Sequence, residues 1–140
     1  MTVNYTKTTR VAHPRGVWNA TGSDIIANIC LVPASTPEVS DLPSVAVPSG
    51  TPTRFAGVST AKLIDGRAGS VILDEGDEVP IFNDGGVTAG DRLTISTAGG
   101  KEGFVKTDAN ANVLKVGYAL ETAADGLLVR VKLAPKMAET

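Results

Sequence analysis

At 140 residues, 42% hydrophobic and 20% charged, the chain has the length and balance of one soluble globular domain. Its formal net charge of −2 and pI near 5.3 argue against a nucleic-acid binder, which needs a basic surplus to displace counterions. Gly at 15 residues, Pro at 8 and aromatics at 4% favour short strands and tight turns over long helices. The single cysteine, Cys30, rules out an internal disulfide framework.

Residues 1–19 are polar, threonine-rich and basic, with Lys7, Arg10 and Arg15 and no acidic residue. Their apolar side chains are Val3, Tyr5, Val11, Val17 and Trp18. Ordering a backbone costs about 1–2 kcal/mol per residue, and burying the last four side chains returns roughly 1.5–3 kcal/mol each. The segment is therefore expected to be disordered or to be an extended arm that gains order against a partner. Trp18, where arm meets domain, reads equally as core packing and as an interface anchor. The apolar run 25–32 is too short to span a bilayer. No charged-then-apolar leader with a cleavage site is evident, so a cytoplasmic site of synthesis and no membrane contact are expected.

A β-rich domain is expected over 20–134, followed by a short tail at 135–140. Within it, residues 33–53 form an insertion carrying Pro33, Pro37, Pro43, Pro48 and Pro52, a density that predicts a surface loop. An internal repeat follows. Phe55-Ala-Gly57-Val58, Asp65-Gly66 and Val71-Ile-Leu73 recur 60 residues later as Lys115-Val-Gly117-Tyr118, Asp125-Gly126 and Val131-Lys-Leu133. A weaker echo sets Gly22–Ile26 beside Ala89–Leu93. Each Asp-Gly supplies a tight turn. The run after the second alternates, with Val129, Val131 and Leu133 on one face and Arg130 and Lys132 on the other. Gly57 and Gly117 inside strand-like runs mark a bulge or a close backbone approach. Helix is confined to a turn or two at 59–64 and 121–124. The expected fold is mainly β, a compact small barrel or sandwich of two similar half-units.

The chemical inventory is thin. The one histidine, His13, lies in the arm beside Pro14, where a general base has nothing to hold its geometry. Cys30 sits in an apolar run and reads as a small buried hydrophobe. One His and one Cys do not make a structural zinc site. The acidic stretch Asp74-Glu75-Gly76-Asp77-Glu78 lacks the spacing of an EF-hand loop, and a charged turn between two strands explains it more simply than a weak cation site. Gly85-Gly86 and Gly99-Gly100 match no phosphate-binding spacing and read as hairpin turns. No catalytic residue, no metal site and no cofactor are expected.

The order of these words resembles a known family. Gly-x-Asp-Ile near residue 22 leads to Phe-x-Gly-Val, Asp-Gly and Val-x-Leu, then to Val79-Pro-Ile-Phe82 and Val87-Thr-Ala-Gly-Asp-Arg-Leu-Thr-Ile95. Val116-Gly-Tyr-Ala119, Ala123-Ala-Asp-Gly126 and Val129-Arg-Val-Lys-Leu133 close the series. The pattern is similar to the capsid cement, or head-decoration, proteins of tailed bacteriophages, over residues 20–134 and most strongly over 87–133. The Pro-rich insertion and the polar arm depart from it. The resemblance implies a β-rich fold without enzymatic activity, on the outer surface of a virion. It also implies trimers at threefold and quasi-threefold points of the expanded shell. The partner would be the major capsid protein, and the role resistance to internal DNA pressure. The residues expected to contact the capsid are those of the arm: Val3, Tyr5, Lys7, Arg10, Val11, Arg15 and Trp18. Two other classes stay open, a tail or baseplate module and a small carbohydrate-binding β domain, the latter lacking a sequence cluster of aromatics beyond Trp18, Tyr5 and Tyr118.

Overall fold

The computed structural model describes residues 13–137. Among them are ten strands and no helix. β1 (Pro14–Asn19), β2 (Cys30–Pro33), β3 (Ser44–Ala46), β4 (Gly57–Ser59) and β5 (Arg67–Ile72) close into a barrel in the order β1-β3-β2-β4-β5. A ladder running from Pro14↔Ile72 to Asn19↔Arg67 joins β5 back to β1. β6 (Glu78–Phe82), β7 (Arg92–Ile95), β8 (Val105–Thr107), β9 (Lys115–Ala119) and β10 (Leu128–Lys136) form a sheet in the order β6-β10-β9-β7-β8. Its two edges approach at one parallel bridge, Asn83↔Val105.

The two five-stranded units are the same object built twice. The pairs Val58↔Ile72 and Ser59↔Val71 recur as Tyr118↔Lys132 and Ala119↔Val131. Val32↔Ala46 and Pro33↔Val45 recur as Thr94↔Lys106 and Ile95↔Val105. Even the closing contact returns, since Asn19↔Val45 in the first unit corresponds to Asn83↔Val105 in the second. The expected repeat of 60 residues thus holds for the strand pair β4–β5 and β9–β10. The upstream echo does not. Leu31 faces Gly57 as Leu93 faces Gly117, so Leu31 corresponds to Leu93 and the proposed alignment of Gly22–Ile26 with Ala89–Leu93 slips by five residues.

Three boundaries also move. Residues 14–19, expected within the arm, are strand β1, held by backbone pairing that a count of apolar side chains does not register. The Pro-rich stretch 33–53 contains the end of β2 and all of β3. It does so because β3 is only three residues long and proline-free, while the Pro43 carbonyl accepts the Trp18 N–H at 2.9 Å. β10 runs on to Lys136, past the expected end of the domain. The short helical turns at 59–64 and 121–124 are absent. Leu63 and Ala123 instead form matching bridges to Ile25 and Val87.

Alternation sorts the side chains. In the first unit Val17, Leu31, Val45 and Val71 point inward and form an interior cluster with Ile25, Ile29 and Leu63. The residues beside them in the strands, Cys30, Val58 and Ile72, point outward and join the cluster of the second unit. An outer face of the first barrel is thereby buried against the second. Phe82 and Phe104, stacked at 5.3 Å between centroids, pack against the first unit's interior cluster. Asn28 completes the seam: its carbonyl accepts the Phe82 N–H at 3.0 Å and its side chain donates to the Pro80 carbonyl at 3.0 Å. The Gly103 carbonyl also serves here, accepting from the Cys30 N–H at 2.7 Å. A Cβ on Gly103 would lie 2.7 Å from the Cys30 oxygen, at a φ of +90° that already favours glycine.

Candidate interaction surface

The root of the arm is anchored. Arg15, exposed on β1, donates to the Asp74 carboxylate at 2.7 Å. The His13 backbone N–H reaches Asp77 at 3.3 Å. Ligand-type atoms of His13, Asp74 and Asp77 all lie within 4.8 Å of one another. Three protein donors are fewer than a hard divalent cation takes, and one Asp74 oxygen already serves Arg15. The acidic turn expected at 74–78 is the link between the two units, with Gly76 at a φ of +91°. Asp77 within it is fully buried, which a simple charged turn does not foresee. Trp18 is half-buried on the outer side of β1, opposite the inward Val17 and Asn19. Val3, Tyr5, Lys7, Arg10 and Val11 lie outside the described residues.

The outer side of the second sheet gathers residues that are remote in sequence. Cross-strand pairing sets Glu78 beside Lys132, Lys132 beside Tyr118 and Tyr118 beside Arg92. The Arg92 guanidinium stacks over the Tyr118 ring at 5.2 Å. A second row runs Pro80, Arg130, Leu120, the Leu120 N–H donating to the Arg130 carbonyl at 2.9 Å. Tyr118, Leu120 and Leu128 are 38%, 41% and 45% exposed, well above what the core residues show. A groove of about 600 Å³ opens beside them, lined by Tyr118, Leu120, Leu133, Ala134, Glu75 and Gly76. The sequence placed Arg130 and Lys132 on one face correctly, but nothing in it joined them to Tyr118 and Arg92. The strand order does.

The same row in the first unit is Pro14, Ile72, Val58 and Cys30. There Ile72, Val58 and Cys30 are buried at the seam. The second unit presents the corresponding face to solvent and carries charge on it. Burial pushes the Cys30 thiol far up, away from thiolate reactivity.

A polar cluster stands beside the closing bridge of the second sheet. Lys101 reaches Asp84 at 3.2 Å and Asp125 at 3.4 Å. The Ser96 hydroxyl donates to Asp84 at 2.7 Å and, with Lys101, holds its carboxyl below the usual range. Asp125 is lowered by the Gly85 N–H at 2.7 Å and then by Lys101. Both carboxylates are therefore charged at neutral pH and the Lys101 ammonium is held between them.

No family model matches the chain, and no curated protein matches it. Among solved structures it is similar to "the crystal structure of head fiber gp8.5 N base in bacteriophage phi29", with a TM-score of 0.66 at 18% identity. The likeness covers 93% of this chain and 100% of that one. It shows that the arrangement of strands described above is a fold this chain shares over nearly its whole length with a phage head-fibre base.

Proposed function

We propose that the chain is a capsid decoration, or cement, protein that binds the outside of a bacteriophage head and stabilises the shell against internal DNA pressure. It acts by binding alone, without catalysis, cofactor or metal. Its partner is the major capsid protein, on which it sits as a homotrimer at threefold and quasi-threefold positions. The observation that carries this reading is the whole-length likeness to a head-fibre base, joined to a sequence pattern that resembles head-decoration proteins. The arm residues Val3, Tyr5, Lys7, Arg10 and Val11 make the first contact with the shell, and Arg15 fixes where the arm leaves the barrel. Linked contacts from three copies raise affinity without any new contact type.

Imaging of heads with and without the protein tests this. Threefold density on the outer surface, present only with the protein, is expected. Isolated single copies, or density confined to the tail, would defeat the proposal. A second reading, the base of a longer head fibre, draws on the name of the similar structure. The same images separate the two, because a fibre base continues outward into a projection and a cement protein does not.

A further inference from the structure

A small pocket of about 70 Å³ lies where the start of β9, the end of β10 and the loop before β9 meet. Arg92, Lys115 and Lys136 line it together with Ala109, Ala111 and Val113, and no aspartate or glutamate does. Lys115 is only 4% exposed. Its ammonium donates to the carbonyls of Asn110 and Val113, which leaves its third proton for another acceptor. Among the described residues no carboxylate pairs with it. The Arg92 Nε is buried without a hydrogen-bond partner, while the guanidinium rests against Tyr118. The nearby acids are turned to other work. Asp108 accepts the Asn110 N–H at 2.7 Å, and Asp91 accepts from Thr88 and Thr107.

A lysine this buried is rarely left without a counter-charge, because moving an ammonium out of water costs several kcal/mol. The unpaired Nε–H of Arg92, a residue that lines the same pocket, adds a second donor. We infer that this pocket is a carboxylate-binding site, completed by a glutamate or aspartate side chain. The carboxylate is planar, fits the volume, and is the group that a guanidinium and an ammonium hold together. The inference does not depend on the decoration reading. Two sources offer the group: an acidic side chain of a partner protein, or Glu139 of this chain, three residues beyond Lys136.

The probe is acetate, exchanged for chloride at constant ionic strength with the full-length protein. In the wild type, a saturable rise in Tm of at least about 2 °C is expected, with movement of the Arg92 Nε–H resonance in a ¹⁵N spectrum. Such a response assigns the site to an external carboxylate. Silence in the wild type with a response in Glu139→Gln supports the pocket and names Glu139 as its occupant. Lys115→Met should remove the response in either background, and Arg92→Gln serves as the second variant should Lys115→Met fold poorly. Silence in both wild type and Glu139→Gln would overturn the inference. So would an acetate effect that survives loss of Lys115 and Arg92, since that marks adventitious binding only.

Discussion

Asn19 and Asn83 do the same work in the two units. Each is buried just past the end of the first strand of its unit or at its last residue, and each holds down the loop before the last strand. Asn83 donates to the carbonyls of Ala124 at 2.8 Å and Leu127 at 2.9 Å and accepts the Gly86 N–H at 2.7 Å. Asn19 donates to Ser23 and Leu63 and accepts from Thr21. Their backbone carbonyls accept from Gly66 and Gly126 respectively, the two turn glycines that the repeated Asp-Gly identified. Asn83→Ala removes three part-buried hydrogen bonds and should cost about 2–3 kcal/mol, read as a lower urea midpoint with an unchanged slope. The pair Asp84 and Asp125 sets an acid limit. Both carboxyls are lowered from 3.8, so their contribution is present above that value and is lost as pH falls through their folded pKa values. Lys101, raised from 10.5, contributes below that value and ceases to do so as pH rises through its own. Between about pH 5 and about pH 2 the Lys101→Met variant should lose less Tm than the wild type, because the carboxyls it no longer faces are less depressed. Gly57 and Gly117 were legible as special positions, and the reason is close approach. A Cβ on Gly57 would sit 2.6 Å from a Val71 methyl, at a φ of +125°, and one on Gly117 would strike the Lys132 carbonyl.

At the scale of elements, β1 shows why composition misjudged the arm. Its burial pattern leaves only Val17 and Asn19 fully inside, so its apolar content is low, yet every residue from Pro14 to Asn19 pairs with β5. Backbone ladders do not appear in a count of hydrophobic side chains. The boundary changes the truncation that isolates the arm. Deleting residues 2–11 should leave Tm unchanged and weaken capsid binding. Deleting 2–16 removes Pro14, Arg15 and Gly16 from their pairs with Ile72, Val71 and Ser70, and should lower Tm sharply. Full-strength capsid binding by the 2–11 deletion would move the contact to the β domain itself. The Pro-rich stretch was misread for a related reason. Proline excludes long central strands, but three proline-free residues between Pro43 and Pro48 suffice to pair with two neighbours.

For the whole molecule, the duplication was legible only where its spacing is constant. β4 and β5 repeat at 60 residues, whereas β2 and β7 differ by 62 and β1 and β6 by 64, because loops of unequal length intervene. Of the candidate surface only the shared face of Arg130 and Lys132 was legible. Arg92, Tyr118, Leu120 and Lys132 become neighbours through strand order, and no local pattern encodes that. The seam between units makes a further test available. A chain cut after Gly76 exposes Val58 and Ile72, each giving up roughly 1.5–3 kcal/mol of burial, and uncovers Cys30. In the intact protein the Cys30 thiol should resist labelling until global unfolding. In the isolated first half it should label readily, and that half should self-associate. Equal labelling rates in the two would mean that the first barrel stands without the second.

The seam has the form of a rule for adding units. The first unit offers the face of Cys30, Val58 and Ile72 to the interior cluster of the second, and the second offers Phe82 and Phe104 to the interior cluster of the first. Unlike faces that mate in this way generate open-ended growth, since each added unit presents the first face again. On the second unit that face is present, but Arg92, Tyr118 and Lys132 stand where Cys30, Val58 and Ile72 stood. A further unit stacking there would have to desolvate two cations, as it would at the polar capping repeat of a solenoid. In the first unit, Trp18 occupies the place that Phe82 fills in the second. The face that is apolar and buried in the first unit is thus charged and open in the second.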